Sequence, residues 1–364
     1  MSAPATTLDD AVRAALASVQ DPEIRRPITE LGMVRSVSVG SDGMAHIGIL
    51  LTVAGCPLKD KLTADITAAA KTVAGVTAVD IDMTASVRAV ASPEAGRAAV
   101  EGVKNIIAVG AGKGGVGKTT VAVNLAIALA KRGSRVGIID GDIYGPNVPI
   151  MLGINTQLTT DGKKILPAEK HGLQVISMGF MTSDDAPVIW RGPMLHGAIQ
   201  QFFREVRWNN LDYLIVDMPP GTGDVALSLS QTVPVAGAIV VTTPQQVSLA
   251  DSRRAIRMYQ KLNIPTLGII ENMSHFVCPN CSHEADIFGH GGGQKMAEDM
   301  SVTFLGRVPI YQPIREGSDR GVPLVLSDAD SPAGKAFMAT AERVAAEISI
   351  ASYKRAPIPL TPIS

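Results

Sequence analysis

The sequence predicts an α/β protein: a mostly parallel sheet with helices on both faces, preceded by a small α+β domain of order αββαβ. Two observations carry this. Short apolar strands alternate with helix-length segments from about residue 105 to 350, the pattern of a sheet built from crossover units. Hydrophobic residues make up 46% of the chain and aromatics only 4%, a bias that suits buried parallel strands and closely packed helices. With 364 residues there is material for two domains and a sizeable core.

The small domain is expected over residues 1–90. Leu8, Val12, Leu16 and Val19 recur at helical spacing before "DPEIRRPI" breaks the pattern. "VRSVSVGSDGMAHIGILLT" reads as two strands around a Gly-Ser-Asp-Gly turn. Leu58, Leu62, Ile66 and Val73 mark one face of a second helix, and "VTAVDIDMTA" supplies the last strand. The small, polar segment 91–104 reads as a linker, 105–350 as the large domain, and the proline-containing 351–364 as a tail. Within the large domain "NIIAVGA", "SRVGIID", "LQVISMG", "DYLIVDM", "GAIVVTT", "TLGIIEN" and "TFLGRVP" read as strands.

Composition removes several classes of function. The net charge is −1 and no long basic run exists, so a nucleic-acid partner is not expected. Three cysteines do not make a disulfide framework, and a reducing compartment is the simpler reading. The N-terminus is acidic where a signal peptide is basic, and no segment has the length and uniformity of a membrane span. A cytoplasmic chain without a membrane partner is expected.

"GKGGVGKT", Gly112 to Thr119, fits G-x-x-x-x-G-K-[ST] between a predicted strand at 105–111 and a predicted helix at 118–132. Gly112, Gly114, Gly115 and Gly117 let the backbone turn its N–H groups toward phosphate oxygens, and the helix N-terminus adds its positive end. Val116 and Thr120 complete the loop. Lys118 is expected on the β- and γ-phosphates, and the Thr119 hydroxyl on Mg2+. The large domain therefore reads as a P-loop NTPase domain that binds ATP.

Three aspartates fall at the carboxyl ends of predicted strands, where an open α/β sheet places its ligand crevice. Asp217, after "LIV", has the Walker B arrangement and is expected to reach magnesium through a water. Asp140 would support the metal, and Asp142 follows it in "DGDIYGPN". A loop aspartate capping the next turn is the competing account of either of these two. "PPGTGD" after Asp217 reads as a loop that reports the γ-phosphate.

"KGGVGKTT" resembles the deviant Walker A loop of the MinD/ParA class of dimerising ATPases. That resemblance implies a role for Lys113, otherwise a solvated lysine: reaching across a homodimer to the partner's nucleotide. It also implies that Asp142 orients the attacking water, and that Asn272 and Pro309 contact adenine. The catalytic set is then Lys113, Lys118, Asp142 and Asp217.

"FVCPNCSH" contains Cys278 and Cys281, two of the three cysteines. Soft-metal centres generally take four ligands, so the pair is half a site. Four readings are open: two thiols close by chance, a zinc site completed by His275 and His283, a redox pair, and a cluster shared between two copies. In the last, a loop near a two-fold axis meets its own copy and four thiolates hold one 4Fe–4S cluster.

Together "GKGGVGKT", "DGDIYGPN", "MPPGTGD", "ENMSHFVCPNC" and "PIREGSDRGVP" resemble the Mrp/ApbC family of iron–sulfur cluster carrier ATPases over roughly residues 104–345. One departure is Asn147, where serine is usual after "GP". Through "DPEI", "LGMV" and "TVAGCP", residues 1–90 resemble the MIP18-like domain of iron–sulfur assembly proteins. The resemblance implies an ATP hydrolase with slow turnover whose recipients are apo iron–sulfur proteins, with cluster-assembly scaffold proteins as further partners. Cys56, before the second helix, is either a reactive thiol or a small half-buried side chain. The alternatives are a MinD/ParA-like spatial organiser and a nucleotide-dependent scaffold holding structural zinc.

Overall fold

The computed structural model describes residues 7–355 apart from 54, 56–57, 91–97, 143–144, 181–191, 222, 279 and 282. The chain divides into two compact units, Met1–Arg88 with Ser349–Ser364, and Ala89–Ile348.

The first unit runs α1 (Leu8–Ala15), β1 (Val34–Val39), β2 (Met44–Leu51), α2 (Lys59–Ala70) and β3 (Ala78–Ala85). Thr7 starts α1 in a capping box: its hydroxyl accepts from the Asp10 N–H while the Asp10 carboxylate accepts from the Thr7 N–H. β1 and β2 are antiparallel, and β3 joins β2 in parallel. Val12, Leu16, Ile28, Leu31, Ile47, Ile49, Leu62 and Ile66 form the core. Helix α2 is shorter than its apolar spacing suggests: Leu58 is its N-cap and Val73 lies beyond its end. The C-terminal segment of this unit contributes Tyr353, whose hydroxyl donates to the Leu31 carbonyl at 2.9 Å while the Arg88 guanidinium stacks 4.6 Å from its ring.

The second unit opens with β4 (Val103–Ala111), α3 (Lys118–Lys131), β5 (Val136–Asp140) and the short α4 (Val148–Leu152). A small hairpin, β6 (Thr159–Thr160) with β7 (Ile165–Leu166), precedes β8 (Ala168–Lys170) and β9 (Leu173–Ser177). Then follow α5 (Gly192–Arg204), β10 (Leu211–Asp217), α6 (Asp224–Thr232), β11 (Gly237–Thr242), α7 (Gln246–Lys261) and β12 (Thr266–Glu271). A second hairpin, β13 (Phe276–Val277) with β14 (Glu284–Ala285), leads to α8 (Gly292–Asp299) and β15 (Phe304–Arg307). The last elements are α9 (Gln312–Asp319), α10 (Leu324–Ser327) and α11 (Pro332–Arg355). Helix α11 thus enters the segment expected as a tail, and 356–364 lie outside the described residues.

Eight strands form one sheet in the order β15-β12-β11-β4-β10-β5-β9-β8, parallel throughout except for β8 at the edge. Alternation along β4 splits its side chains: Ile106 and Ala108 join Phe202, Leu229, Leu249 and Ile256 in one core. Ile107 and Val109 take the opposite face, and α3 packs on β4, β5 and β10. Because β10 lies between β4 and β5, the carboxyl ends of all three converge. Asp217 sits in register with Asp140 on one side and Val109 on the other.

Candidate nucleotide site and cysteine hairpin

The loop after β4 turns through left-handed backbone at Gly115 (φ +79°) and Gly117 (φ +80°), the residue before α3. Gly112 is fixed differently. A β-carbon there would lie 2.2 Å from the Asp251 carbonyl carbon and 2.5 Å from the Ser252 nitrogen, so α7 packs directly on the loop backbone. Val116 is buried, and the Thr120 carbonyl accepts from Asn124 at 2.9 Å inside α3.

Lys118 is buried and its Nζ lies 2.5 Å from Asp217 Oδ1. The Thr119 hydroxyl donates to Asp217 Oδ2 at 2.7 Å. Burial pushes the Asp217 carboxyl up, against the pull of the Lys118 ammonium and the Thr119 hydroxyl. Asp140 is fully buried and rises to about 7, chiefly through burial and then through the neighbouring Asp217 charge. Backbone N–H groups of Val148 and Asp142 and the Ser177 hydroxyl donate to it at 3.1–3.2 Å and favour its anion. Ser177 was not among the residues anticipated from sequence; it ends β9, and only the sheet order places it beside Asp140.

Asp142 is half-buried, and its charge acts on Asp217. Lys113 is half-buried and has no ion-pair partner among the described residues. Pro220 comes within 3.9 Å of where a β-carbon on Gly114 would stand, so the loop after β10 abuts the phosphate loop.

Next to Gly117, Thr119 and Thr120 opens a cavity of about 450 Å³. Asn272 and Pro309 both line it. The Asn272 side-chain amide donates to the Val116 carbonyl at 2.8 Å. The rest of the wall includes Ile150, Met151, Tyr311 and Ile314, which sequence reasoning did not reach: α4 and α9 pack together across a long sequence separation. An apolar wall with a few polar groups is the usual composition of a small-molecule site.

Cys278 and Cys281 sit between β13 and β14. The Cys278 N–H donates to the His283 carbonyl at 3.0 Å and closes the hairpin. The backbone N–H groups of Asn280 and Cys281 hold the Cys278 thiol below the ordinary range, aided by the Cys281 side chain. Cys281 is exposed, and neither thiol is in a disulfide. His275 instead meets the Ser274 hydroxyl through Nδ1 at 2.8 Å. No group of three or more His, Cys, Asp or Glu side chains among the described residues is placed to share a metal ion. The single-chain zinc arrangement with His275 and His283 is therefore not assembled among them. Cys56 lies outside the described residues.

Residues 102–345 match the family described as NUBPL iron-transfer P-loop NTPase. The chain belongs to that family. Residues 9–81 of this iron-transfer P-loop NTPase match a second one, described as iron–sulfur cluster assembly protein. The chain is 48% identical over 350 residues to the iron–sulfur cluster carrier protein of Synechocystis, covering 94% of this chain and 98% of the relative. It is 41% identical over 339 residues to the carrier protein of Escherichia coli, covering 93% and 91%. A nucleotide-binding protein from Archaeoglobus fulgidus, solved in complex with ADP, is 36% identical with a TM-score of 0.55 over 61% of this chain and 88% of that one. The cell division ATPase MinD of Pyrococcus furiosus is 26% identical with a TM-score of 0.51, over 66% and 98%. No helix among the described residues is long and apolar enough to cross a membrane.

Proposed function

We propose that this P-loop NTPase is a homodimeric ATP hydrolase that carries a 4Fe–4S cluster between two copies and delivers it to apo iron–sulfur proteins. The observation that carries the reading is the hairpin between β13 and β14, which holds Cys278 and Cys281 three residues apart and outside any disulfide, with the backbone N–H groups of Asn280 and Cys281 lowering the Cys278 thiol. Such donors favour a thiolate, the form that binds iron, and one chain supplies two of the four ligands a cluster takes. Relatives of similar length, named as cluster carriers, support the cargo.

The phosphate end follows from the same residues. The Thr119 hydroxyl and Asp217 carboxylate are hard oxygen donors converging at one strand end, a set that fits magnesium. Bound there, the ion would neutralise charge on the β- and γ-phosphates. Lys118, held 2.5 Å from Asp217, would turn to the phosphates. Asp142 would orient water at the γ-phosphorus, and Lys113 would supply positive charge to the nucleotide of the other copy. Asn272 and Pro309 would hold adenine. Turnover would be slow, because hydrolysis resets a carrier and does not feed a metabolic flux. Cluster-assembly scaffold proteins are the expected donors.

The test is anaerobic reconstitution with iron and sulfide, comparing the native chain with Cys278→Ala. The native chain should gain visible absorption and bound iron, and the variant should lose most of both. Equal iron and equal absorption in the two would remove the cysteine hairpin from the function.

A further inference from the structure

Only six positions separate Asn272, in the base pocket, from Cys278, at the hairpin. The two ends share one hydrogen-bonded ladder. The Ser274 N–H and hydroxyl both donate to the Val308 carbonyl, at 3.0 and 3.1 Å. The Ile310 N–H donates to the His275 carbonyl at 2.6 Å, and Phe276 bridges to Ile310 in parallel. Pro309 and Ile310 are also pocket wall, so the segment after β15 that braces the root of the hairpin is the segment a bound base would touch.

Between the ends stands Met273. It lines the pocket, and its Cε comes within 3.7 Å of where a β-carbon on Gly117 would stand. Its backbone is left-handed, with φ +53°, a conformation costing a residue with a side chain about 1 kcal/mol or more. Both neighbours are pinned. The Asn272 N–H donates to the Thr242 carbonyl at 2.8 Å, its amide holds Val116, and Ser274 is tied to Val308. Pocket wall and hairpin root therefore share Met273 and residues 308–310, so a ligand that displaces Met273 bears directly on the residues that lead to the hairpin.

We infer that Met273 is a positioning residue through which an occupied base pocket alters the environment of the Cys278 thiol within a single chain. This rests on the reading that the cavity takes the base of a nucleotide. It goes beyond that reading in placing the coupling in the pocket and not in dimer closure through Lys113.

The experiment measures iodoacetamide alkylation of the cluster-free chain, with the label at Cys278 quantified by mass spectrometry. Three conditions are compared: no addition, ADP with magnesium, and tripolyphosphate with magnesium, with ADP binding measured in parallel by calorimetry. ADP fills the pocket without a γ-phosphate, and tripolyphosphate fills the phosphate loop without a base. ADP should change the Cys278 rate by about fivefold or more, the low end of coupling between two sites, and tripolyphosphate should not. Met273→Gly, which accepts the left-handed backbone without strain, should bind ADP and lose the rate change; Met273→Leu should keep it. ADP binding with an unchanged rate overturns the inference alone, as does an equal response to tripolyphosphate or a full response in Met273→Gly. Failure of ADP to bind the native chain overturns both the inference and the nucleotide reading.

Discussion

Asp140 has three hydrogen-bond donors on its oxygens and still rises to about 7, because full burial and the Asp217 charge outweigh them. In the unfolded chain the same carboxyl ionises near its ordinary value of 3.8. Below both values each state holds the proton and the group does not affect stability. Between them the unfolded chain has released the proton while the folded chain keeps it, so stability falls as pH rises from about 4 to about 7. The shift corresponds to something on the order of 4 kcal/mol at the top of that window. Urea denaturation at pH 5 and pH 8, without nucleotide or divalent cations, should show Asp140→Asn losing much less stability over this interval than the native chain. Identical losses would mean that Asp140 ionises normally in the fold. Asp217, also raised, contributes in the same direction in both proteins, and the difference between them reports Asp140 together with its coupling to Asp217.

At the scale of the element, the glycines of the phosphate loop separate into two kinds. Gly112 meets the backbone of α7, which cannot rotate away as a side chain can. Gly112→Ala should therefore cost about 1–3 kcal/mol, the usual range for forcing extra atoms into a packed site. A β-carbon on Gly114 would meet only Pro220, at ordinary van der Waals distance. Gly114→Ala should stay within about 0.5 kcal/mol of the native chain. Thermal melts of the two variants check this, and equal melting temperatures would contradict the packing of α7 on the loop. The strands were legible from sequence for a related reason. A strand covered on both faces is mostly apolar, and Leu211–Asp217 is buried along its whole length, its two aspartates lying near its ends with Asp212 paired to Lys104. Lys118 and Asp217 were found although 98 residues lie between them, because loop and strand end each carry a local pattern. The edge strand β8 and the hairpins β6–β7 and β13–β14 were not found, since segments of two or three residues have no period to read. The far wall of the pocket was hidden too: Ile150 and Ile314 meet only through the packing of α4 against α9.

At the scale of the whole molecule, the ligand count sets the stoichiometry. Four sulfur ligands are needed to enclose a 4Fe–4S cluster, and the hairpin offers Cys278 and Cys281. A closed two-fold pairing brings identical surfaces together and doubles whatever lies near its axis, so one cluster per two chains is the balanced outcome. The same pairing would let Lys113, free of ion-pair partners among the described residues, meet the phosphates of the other copy. Sedimentation of the anaerobically loaded chain should give a dimer carrying about two iron atoms per chain, with the cluster absorption travelling in the dimer boundary. Cys281→Ala should lose both the iron and the cluster-dependent part of that dimer, while Lys113→Ala should keep the cluster and lose only the ATP-dependent part. These two losses must separate if hairpin and phosphate loop hold the pair together independently. A loaded species that sediments as a monomer with a full cluster's iron would place the remaining ligands inside one chain and refute the shared site.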